Sequence, residues 1–228
     1  MGISVRRGAA ALVTATLLAG WGAAPGQAAT KRTTCSTVDY QADARLGPKR
    51  LPNSGPLATV LKGYHRLAGM TAKGYLKTYY DAAGKTWRYP PEGGYLLSPD
   101  GQPVKMQVTL LVGQRIDRFG SEFGGYLSPE GTPYAARGIP PQSLDNTTTP
   151  ATCNYSRYKV LKDIPVFSGP IAPALGQPGF GLQYVLSGTL FAGVTERVNV
   201  SYLLTNGYVA RVPYAPPKTP PAPATAGG

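Results

Sequence analysis

The 228-residue sequence predicts an α+β fold in which N-terminal helices pack on a central, mainly antiparallel β-sheet. Apolar side chains recur at helical spacing in the stretch that follows Pro56. From Met106 onward they alternate with polar side chains, as they do in half-buried strands. The Asn206-Gly207 pair is typical of the tight turns that join antiparallel neighbours.

Two short helices are predicted in the first half of the chain. Pro56 suits the first turn of a helix, where its missing N–H leaves no bond unmade. Thr71 can accept a hydrogen bond from the first N–H groups of a second helix. Their apolar faces are predicted to consist of Leu57, Val60, Leu61, Tyr64 and Ala68 in the first helix and of Tyr75, Leu76 and Tyr79 in the second.

The second half of the chain is predicted to be mostly strands. Period-two alternation is clearest between Met106 and Val112, where every second residue is apolar. The turn at Asn206-Gly207 is predicted to be a hairpin turn, because this pair favours positive φ at both positions. The predicted strands cover residues 106–112, 160–167, 182–191, 198–204 and 208–212.

The two ends of the chain differ in composition from the part between them. Arg6 and Arg7, followed by an apolar run of small residues, are typical of a secretory signal peptide. That run is shorter than a membrane span, and no later segment is long and apolar enough for one, so the mature protein is expected to be secreted. The predicted organisation is a signal peptide over 1–28, an irregular segment over 29–55, the functional domain over 56–212 and a disordered, Pro-rich tail over 213–228.

The chain is strongly basic, with 23 Lys and Arg residues against 11 Asp and Glu residues and a formal net charge of +12. A surface of this kind favours anionic partners such as phosphates. The charges are scattered along the sequence, however, and a need for solubility accounts for them equally well.

The few cysteine and histidine residues limit the chemistry that this chain can perform. Cys35 and Cys153 are the only cysteines, and outside the cell they are expected to form a disulfide, with two unpaired buried thiols as the alternative. One His and two Cys cannot build a multi-His metal site or a zinc ribbon, so no metal is expected. His65 has no Gly-x-Ser-x-Gly motif beside it, and neither of the common Gly-rich nucleotide-binding loops is present.

Two parts of the sequence combine residue types that suit a nucleotide ligand. Arg118 next to Phe119 can hold a phosphate and stack on a flat ring. Gln183 follows a Gly/Pro-rich loop, in which a ligand can approach the backbone closely. Each feature is also common in ordinary turns. The residues by themselves therefore do not decide between a nucleotide site and a turn with no role in ligand binding. The two parts are residues 113–120 together with 136–141, and residues 169–184.

Taken in order along the chain, these elements resemble the tuberculosis necrotizing toxin domain family, which includes fungal surface NAD glycohydrolases. The family's Asp-Arg-Phe/Tyr-Gly element resembles residues 117–120, and its Arg-x-x-Pro-Pro element resembles residues 137–141. Its Gly-x-Ile-Ala-Pro…Gly-Gln-Pro-Gly-x-Gly-x-Gln-Tyr element resembles residues 169–184. With the upstream segment 87–94, the likeness covers roughly residues 40–205.

This resemblance implies a secreted enzyme that cleaves the nicotinamide–ribose bond of NAD⁺ or NADP⁺, with the dinucleotide as substrate and no cofactor. It implies that Arg118 and Phe119 help to hold the dinucleotide, and that Arg137 is a residue of the substrate site with a part in catalysis. Gln183 is implied to be the residue most tied to catalysis and to bind the substrate as well. A carboxylate would help to stabilise a cationic transition state, and the candidates for it are Glu122, Glu130 and Glu196.

Two other functions stay open at this level. One is an ADP-ribosyltransferase that uses the same substrate, and the other is a catalytically inactive basic binding module in which Phe180 closes the pocket. No nucleic-acid partner is expected. A homodimer, a role as a toxin and an immunity protein as partner are also left open.

Overall fold

The computed structural model describes residues 1–2, 30–145 and 152–213. The predicted signal peptide beyond Gly2 and the predicted tail beyond Pro213 lie outside the described residues. All the elements below belong to one compact unit that begins at Lys31. None of the helices in the described ranges has the length and apolar character that crossing a membrane requires.

A seven-stranded sheet forms the centre of this unit. In spatial order its strands are β3, β7, β8, β5, β4, β6 and β9, and each pair of neighbours is antiparallel. A separate two-stranded hairpin precedes it in the chain. The strand bounds are β1 Tyr80–Asp81, β2 Thr86–Trp87, β3 Met106–Leu110, β4 Arg115–Phe119, β5 Tyr126–Pro129, β6 Tyr155–Val160, β7 Ile164–Pro170, β8 Leu182–Val185 and β9 Val209–Val212.

Within the described residues three α-helices accompany the strands, and the predicted α+β class with a mainly antiparallel sheet is confirmed. They are α1 (Gly55–Val60), α2 (Ala72–Tyr79) and α3 (Val200–Thr205). Short 3-10 helices occupy several of the connections, for example Glu92–Gly94 and Tyr134–Ala136.

The two N-terminal helices have different surroundings. Leu57 of α1 lies in one buried cluster with Phe119 and Tyr155, which belong to β4 and β6. Tyr75 of α2 lies instead with Trp87 of β2 and with Leu175. Since only α1 shares a buried cluster with residues of the central sheet, the expected packing of both N-terminal helices on that sheet stays a prediction. The first helix is also shorter than its apolar pattern suggested.

The start of α2 follows the prediction. The Thr71 hydroxyl accepts a hydrogen bond from the Gly74 N–H at 3.1 Å, so it caps the first turn of the helix.

One predicted strand is a helix, and the hairpin turn predicted after it ends that helix. Residues 198–204 were expected to be extended, but Asn199 caps α3 by accepting from the Tyr202 N–H, and the helix then runs to Thr205. Gly207 has a φ of 68° and its N–H bonds the Leu204 carbonyl, while the Tyr208 N–H bonds the Leu203 carbonyl. This pair of bonds is the Schellman ending of a helix, which uses the same residue types as a hairpin turn.

Three other strand predictions have the wrong extent. Residues 160–167 contain a turn at 161–163, which separates β6 from β7. The strand predicted over 182–191 ends at Val185 and is followed by a 3-10 helix. The strand predicted over 106–112 ends at Leu110.

The largest hydrophobic core lies on one face of the sheet, between the strands and α3. In the first half of β7, Ile164 and Val166 are buried in this core while Pro165 and Phe167 are only partly buried, which is the period expected of a strand with one covered face. Its fully or nearly fully buried members include Leu110, Ile116, Leu127, Tyr158, Val160, Ile164, Val166, Leu203 and Val209.

Cys35 and Cys153 form a disulfide, as predicted, with their Cα atoms 5.2 Å apart. Both cysteines are buried in the cluster that contains Leu57 and Phe119. The bond ties the start of the described domain to the residues just before β6.

Candidate functional site

A cavity of about 400 Å³ lies beside β4, β5 and β8, which are consecutive strands of the sheet. The structure brings together the four residues that the resemblance assigned to the substrate site, although they come from distant parts of the chain. These residues are Arg118, Phe119, Arg137 and Gln183. The cavity is lined by Tyr89, Pro90, Gly93, Gly94, Arg118, Phe119, Tyr126, Leu127, Ser128, Arg137, Gly138, Ile139, Ile171, Ala174 and Gln183.

Arg118 is held in place by main-chain carbonyl groups. Its Nε donates to the Ser121 carbonyl and its Nη1 to the Tyr126 carbonyl, each at 2.7 Å. A Cβ atom on Gly124 would lie only 1.9 Å from Arg118 Nη2, so the guanidinium occupies the space that a side chain there would need. Burial lowers the pKa of Arg118, which nevertheless stays protonated at neutral pH.

Arg137 is buried and paired with a fully buried carboxylate. Its Nη2 lies 2.7 Å from Asp117 Oδ1, and its Nε and Nη2 both donate to the Thr132 carbonyl. Asp117 Oδ2 accepts from the Tyr155 hydroxyl at 2.6 Å and from the Gly131 N–H at 2.7 Å. Burial raises the pKa of Asp117, and Arg137 with these two donors opposes that rise. The pair therefore fixes the Arg137 side chain at the cavity wall.

Phe119 connects the cavity to an aromatic cluster behind it. Its ring packs edge-on against Tyr134 at 4.8 Å and tilted against Tyr155 at 4.7 Å. The Arg137 guanidinium lies over the ring, 5.1 Å from its centre. With these contacts Phe119 has a single, well-defined position.

Gln183 is 6% exposed and belongs to β8, opposite Gly169 of β7. Its Nε2 donates to the Gly93 carbonyl at 3.1 Å. Gly93 has a φ of 67° and lies between Glu92 and Gly94, which also have positive φ, so the backbone turns sharply to meet the amide. The amide oxygen is the acceptor that Gln183 can offer to a ligand, and the bond from Nε2 to Gly93 fixes the orientation of the amide.

Two tyrosines of the cavity wall were not predicted. Tyr89 and Tyr126 are about half exposed. Tyr89 lies between β2 and β3 in the chain, and Tyr126 is the first residue of β5. Burial raises the pKa of Tyr89, so its hydroxyl is neutral at physiological pH. Tyr89 lies within the segment 87–94 that contributed to the resemblance, which was the only available signal for it.

No carboxylate among the described residues lines the cavity. Glu122 pairs with Arg211 and accepts from the Tyr158 hydroxyl. Glu130 pairs with Arg115 and Arg157. Glu196, the third candidate, is also absent from the cavity wall. The structure therefore places none of the three carboxylate candidates at the site.

Two further residues considered from the sequence lie away from the cavity. Phe180 is 65% exposed and does not contribute to the lining, so it does not close the pocket. His65 is likewise outside the lining, and its main-chain carbonyl accepts from Gln177 Nε2 at 2.9 Å. In the described ranges no three His, Cys, Asp or Glu side chains are grouped as metal ligands would be.

The fold and the cavity together define a basic α+β protein with a pocket of arginine, aromatic and amide side chains, residue types that suit a phosphate-bearing ligand. The family model described as tuberculosis necrotizing toxin matches residues 109–212. The conidial surface nicotinamide adenine dinucleotide glycohydrolase of Aspergillus fumigatus is 36% identical over 194 residues, which cover 82% of each chain. The chain belongs to the tuberculosis necrotizing toxin family.

Solved structures of related toxins are more distant. The tuberculosis necrotizing toxin complexed with its immunity factor has a TM-score of 0.47 and 19% identity, covering 76% of this chain and 79% of that one. Rhs1-CT in complex with its cognate immunity protein has a TM-score of 0.30 and 13% identity, covering 48% of this chain and 78% of that one.

Proposed function

We propose that the chain is an NAD⁺ glycohydrolase, which hydrolyses the bond between nicotinamide and ribose. The observation that carries this proposal is the convergence of Arg118, Phe119, Arg137 and Gln183 on one cavity. Arg118 and Arg137 come from separate motifs, and Gln183 comes from a third. The match to an NAD glycohydrolase over four-fifths of both chains supports the same activity.

The reaction needs little acid–base chemistry from the protein. Nicotinamide in NAD⁺ is bound through a positively charged nitrogen, so it takes the electron pair of the broken bond and leaves as a neutral molecule. The oxygen of water then forms a bond to the ribose C1′ and releases a proton, which gives ADP-ribose. The protein has to orient the substrate and stabilise an oxocarbenium-like transition state.

We assign complementary roles to the residues of the cavity. Arg118 holds the diphosphate, because it is the arginine of the cavity wall whose described contacts include no carboxylate. Phe119 is 5% exposed and its ring is covered by neighbouring side chains, so it forms the apolar backing of the cavity wall rather than a free stacking surface. The Gln183 oxygen accepts from a ribose hydroxyl or from the attacking water, and the bond from Nε2 to Gly93 holds the amide in place. Arg137 contributes positive charge at the wall and supports the Phe119 ring.

The experiment that tests this proposal is nicotinamide release from NAD⁺, followed by chromatography, with Gln183→Ala beside the unchanged protein. Loss of the Gln183 amide should lower turnover by about 100-fold or more, the range found for a polar group that acts on the transition state. A matched control is Gln177→Ala, which removes another buried glutamine whose Nε2 binds a main-chain carbonyl outside the cavity wall. It should keep most of the turnover. Near-normal hydrolysis by folded Gln183→Ala would remove Gln183 from the mechanism.

Two further measurements on the same protein separate the two alternatives. Labelled ADP-ribose that accumulates on protein rather than in solution would identify an ADP-ribosyltransferase. Binding of NAD⁺ without any turnover would identify an inactive binding module. The outward position of Phe180 removes the reason for expecting such inactivity.

We further propose that the protein acts outside the cell that makes it, as a secreted toxin or NAD-degrading enzyme. The disulfide supports this proposal, because such bonds persist in oxidising compartments. Hydrolysis of NADP⁺ as well as NAD⁺, and an immunity protein as partner, belong to the same proposal. The homodimer that the sequence left open stays untested.

A further inference from the structure

Ser128 is a residue of the cavity wall to which the proposed hydrolysis assigns no role. It lies in β5, is 4% exposed and contributes to the lining of the cavity. Within the described parts of the chain its hydroxyl forms no hydrogen bond, and its oxygen is not one of the fully enclosed polar atoms, so it is open to the cavity. Because buried polar groups are normally paired, a free hydroxyl at this position indicates a partner that comes from a ligand.

The strand register places Ser128 beside Gln183. Leu127 of β5 pairs with Tyr184 of β8, and the first belongs to the largest core while the second packs against it. Ser128 follows Leu127 and Gln183 precedes Tyr184, which in antiparallel strands brings the two to the same level. Since side chains alternate between the faces of a sheet, both turn away from that core and toward the cavity that they line.

The carboxylate on the other neighbouring strand has partners of its own. Asp117 of β4 pairs with Ser128 in the register. Its Oδ2 accepts from the Tyr155 hydroxyl and from the Gly131 N–H, and its Oδ1 lies 2.7 Å from Arg137 Nη2. None of the described contacts of this carboxylate involves the serine, so the hydroxyl proton of Ser128 can be donated to a bound molecule.

A serine hydroxyl beside an oriented amide oxygen matches the two adjacent hydroxyls of a ribose. The Gln183 amide is fixed by the bond from its Nε2 to the Gly93 carbonyl, and its oxygen can only accept. One ribose hydroxyl can therefore donate to Gln183 while the adjacent hydroxyl accepts from Ser128. A diphosphate only accepts, so at this place it would leave the amide oxygen without a donor.

We propose that the Ser128 hydroxyl binds the ribose next to nicotinamide, by donating a hydrogen bond to one of its two hydroxyls while Gln183 accepts from the other. The assignment rests on the proposed function, in which Gln183 acts at this ribose. Ser128 forms no covalent bond with the substrate. Held at two points, the sugar keeps its C1′ in one position for the attack of water.

Steady-state kinetics of Ser128→Ala and of the unchanged protein test the proposal, with NAD⁺ and with analogues that lack either the 2′- or the 3′-hydroxyl of the nicotinamide ribose. Ser128→Ala should lower kcat/KM for NAD⁺ by about tenfold, the upper end of the range for one uncharged hydrogen bond. With the analogue that lacks the bonded hydroxyl, the same substitution should cost less than about twofold. Comparing two proteins on one analogue cancels the intrinsic reactivity of that analogue. An equal loss on all three substrates, or no loss on NAD⁺, would overturn the proposal.

Ser168→Ala is the matched control, because it removes the hydroxyl of another buried strand serine, in β7, that does not line the cavity. It should keep nearly all of the original kcat/KM, and thermal unfolding should show that both variants fold. An equal loss of activity in this control would assign the effect to packing and overturn the proposal.

The affinity for ADP-ribose, measured by titration calorimetry, separates this inference from the proposed function. ADP-ribose retains both hydroxyls, so Ser128→Ala should bind it about tenfold more weakly whether or not the unchanged protein turns over NAD⁺. Weaker binding together with no hydrolysis by the unchanged protein would overturn the proposed function and keep the contact. Equal affinity of the two proteins for ADP-ribose would overturn the assignment of Ser128 alone.

Discussion

At the scale of single residues, Gly124 has no room for a side chain because the Arg118 guanidinium lies where its Cβ would be. Gly124→Ala should displace that flexible guanidinium from its two carbonyl partners, while the backbone stays in place. If Arg118 holds the diphosphate, the KM for NAD⁺ should rise about tenfold or more, the value of one charged hydrogen bond. Steady-state kinetics with thermal unfolding would measure both effects.

Gly125→Ala is a matched control for this substitution. An added Cβ at Gly125 would meet Leu186 and Val198 at 3.6 Å, which is ordinary contact, and would not approach Arg118. Its KM should stay close to the original. An unchanged KM in folded Gly124→Ala would show that the position of Arg118 does not determine substrate affinity.

At the scale of elements, Glu130 joins three neighbouring strands through two arginines. It follows β5 and contacts Arg115 of β4 at 2.5 Å and Arg157 of β6 at 3.1 Å. The hydrogen bond from Arg115 is the main reason that the pKa of Glu130 lies below its usual value. Because the carboxyl ionises more readily in the folded protein, its contribution is present above pH 4.5 and is lost as the pH falls through the lowered pKa.

Glu130→Gln should therefore lower the free energy of unfolding at pH 7 by less than about 1 kcal/mol, because the arginines are partly exposed. The difference from the unchanged protein should shrink toward zero in acid, once the pH has fallen through the lowered pKa of Glu130. Urea unfolding at pH 7 and along an acid series measures it, with Glu196→Gln as a control, since Glu196 is exposed and has no ion pair in the described ranges. A pH-independent difference would contradict the role of the ion pairs.

At the scale of the whole molecule, the Cys35–Cys153 bond connects positions that are 118 residues apart in the chain. Closing so long a loop restricts the unfolded chain strongly, and such bonds typically contribute about 2–4 kcal/mol. A reducing agent should lower the free energy of unfolding of the unchanged protein by that amount, which appears as a lower urea midpoint. The double variant Cys35→Ser with Cys153→Ser should be equally destabilised and should not respond to the reducing agent. An unchanged midpoint after complete reduction would exclude this stabilising role.

Local signals in the sequence predicted some elements and misassigned others. Thr71 correctly marked the start of α2, because an N-cap depends on a few neighbouring atoms. Residues 198–204 were expected to be a strand, because a short apolar segment fits either period and the Asn199 cap was not recognised. Asn206-Gly207 then ended a helix rather than forming a hairpin, since both endings need positive φ.

The sequence by itself predicted the α+β class from apolar periodicity and the disulfide from its only two cysteines. It predicted the four candidate residues of the cavity, Arg118, Phe119, Arg137 and Gln183, through their resemblance to a known family. Only the tertiary structure decided how those residues are held. The Asp117–Arg137 pair, the Gly93 carbonyl that orients Gln183 and the absence of a lining carboxylate among the described residues all depend on strand order. Strand order is set by packing between distant segments, and a local pattern carries no information about it.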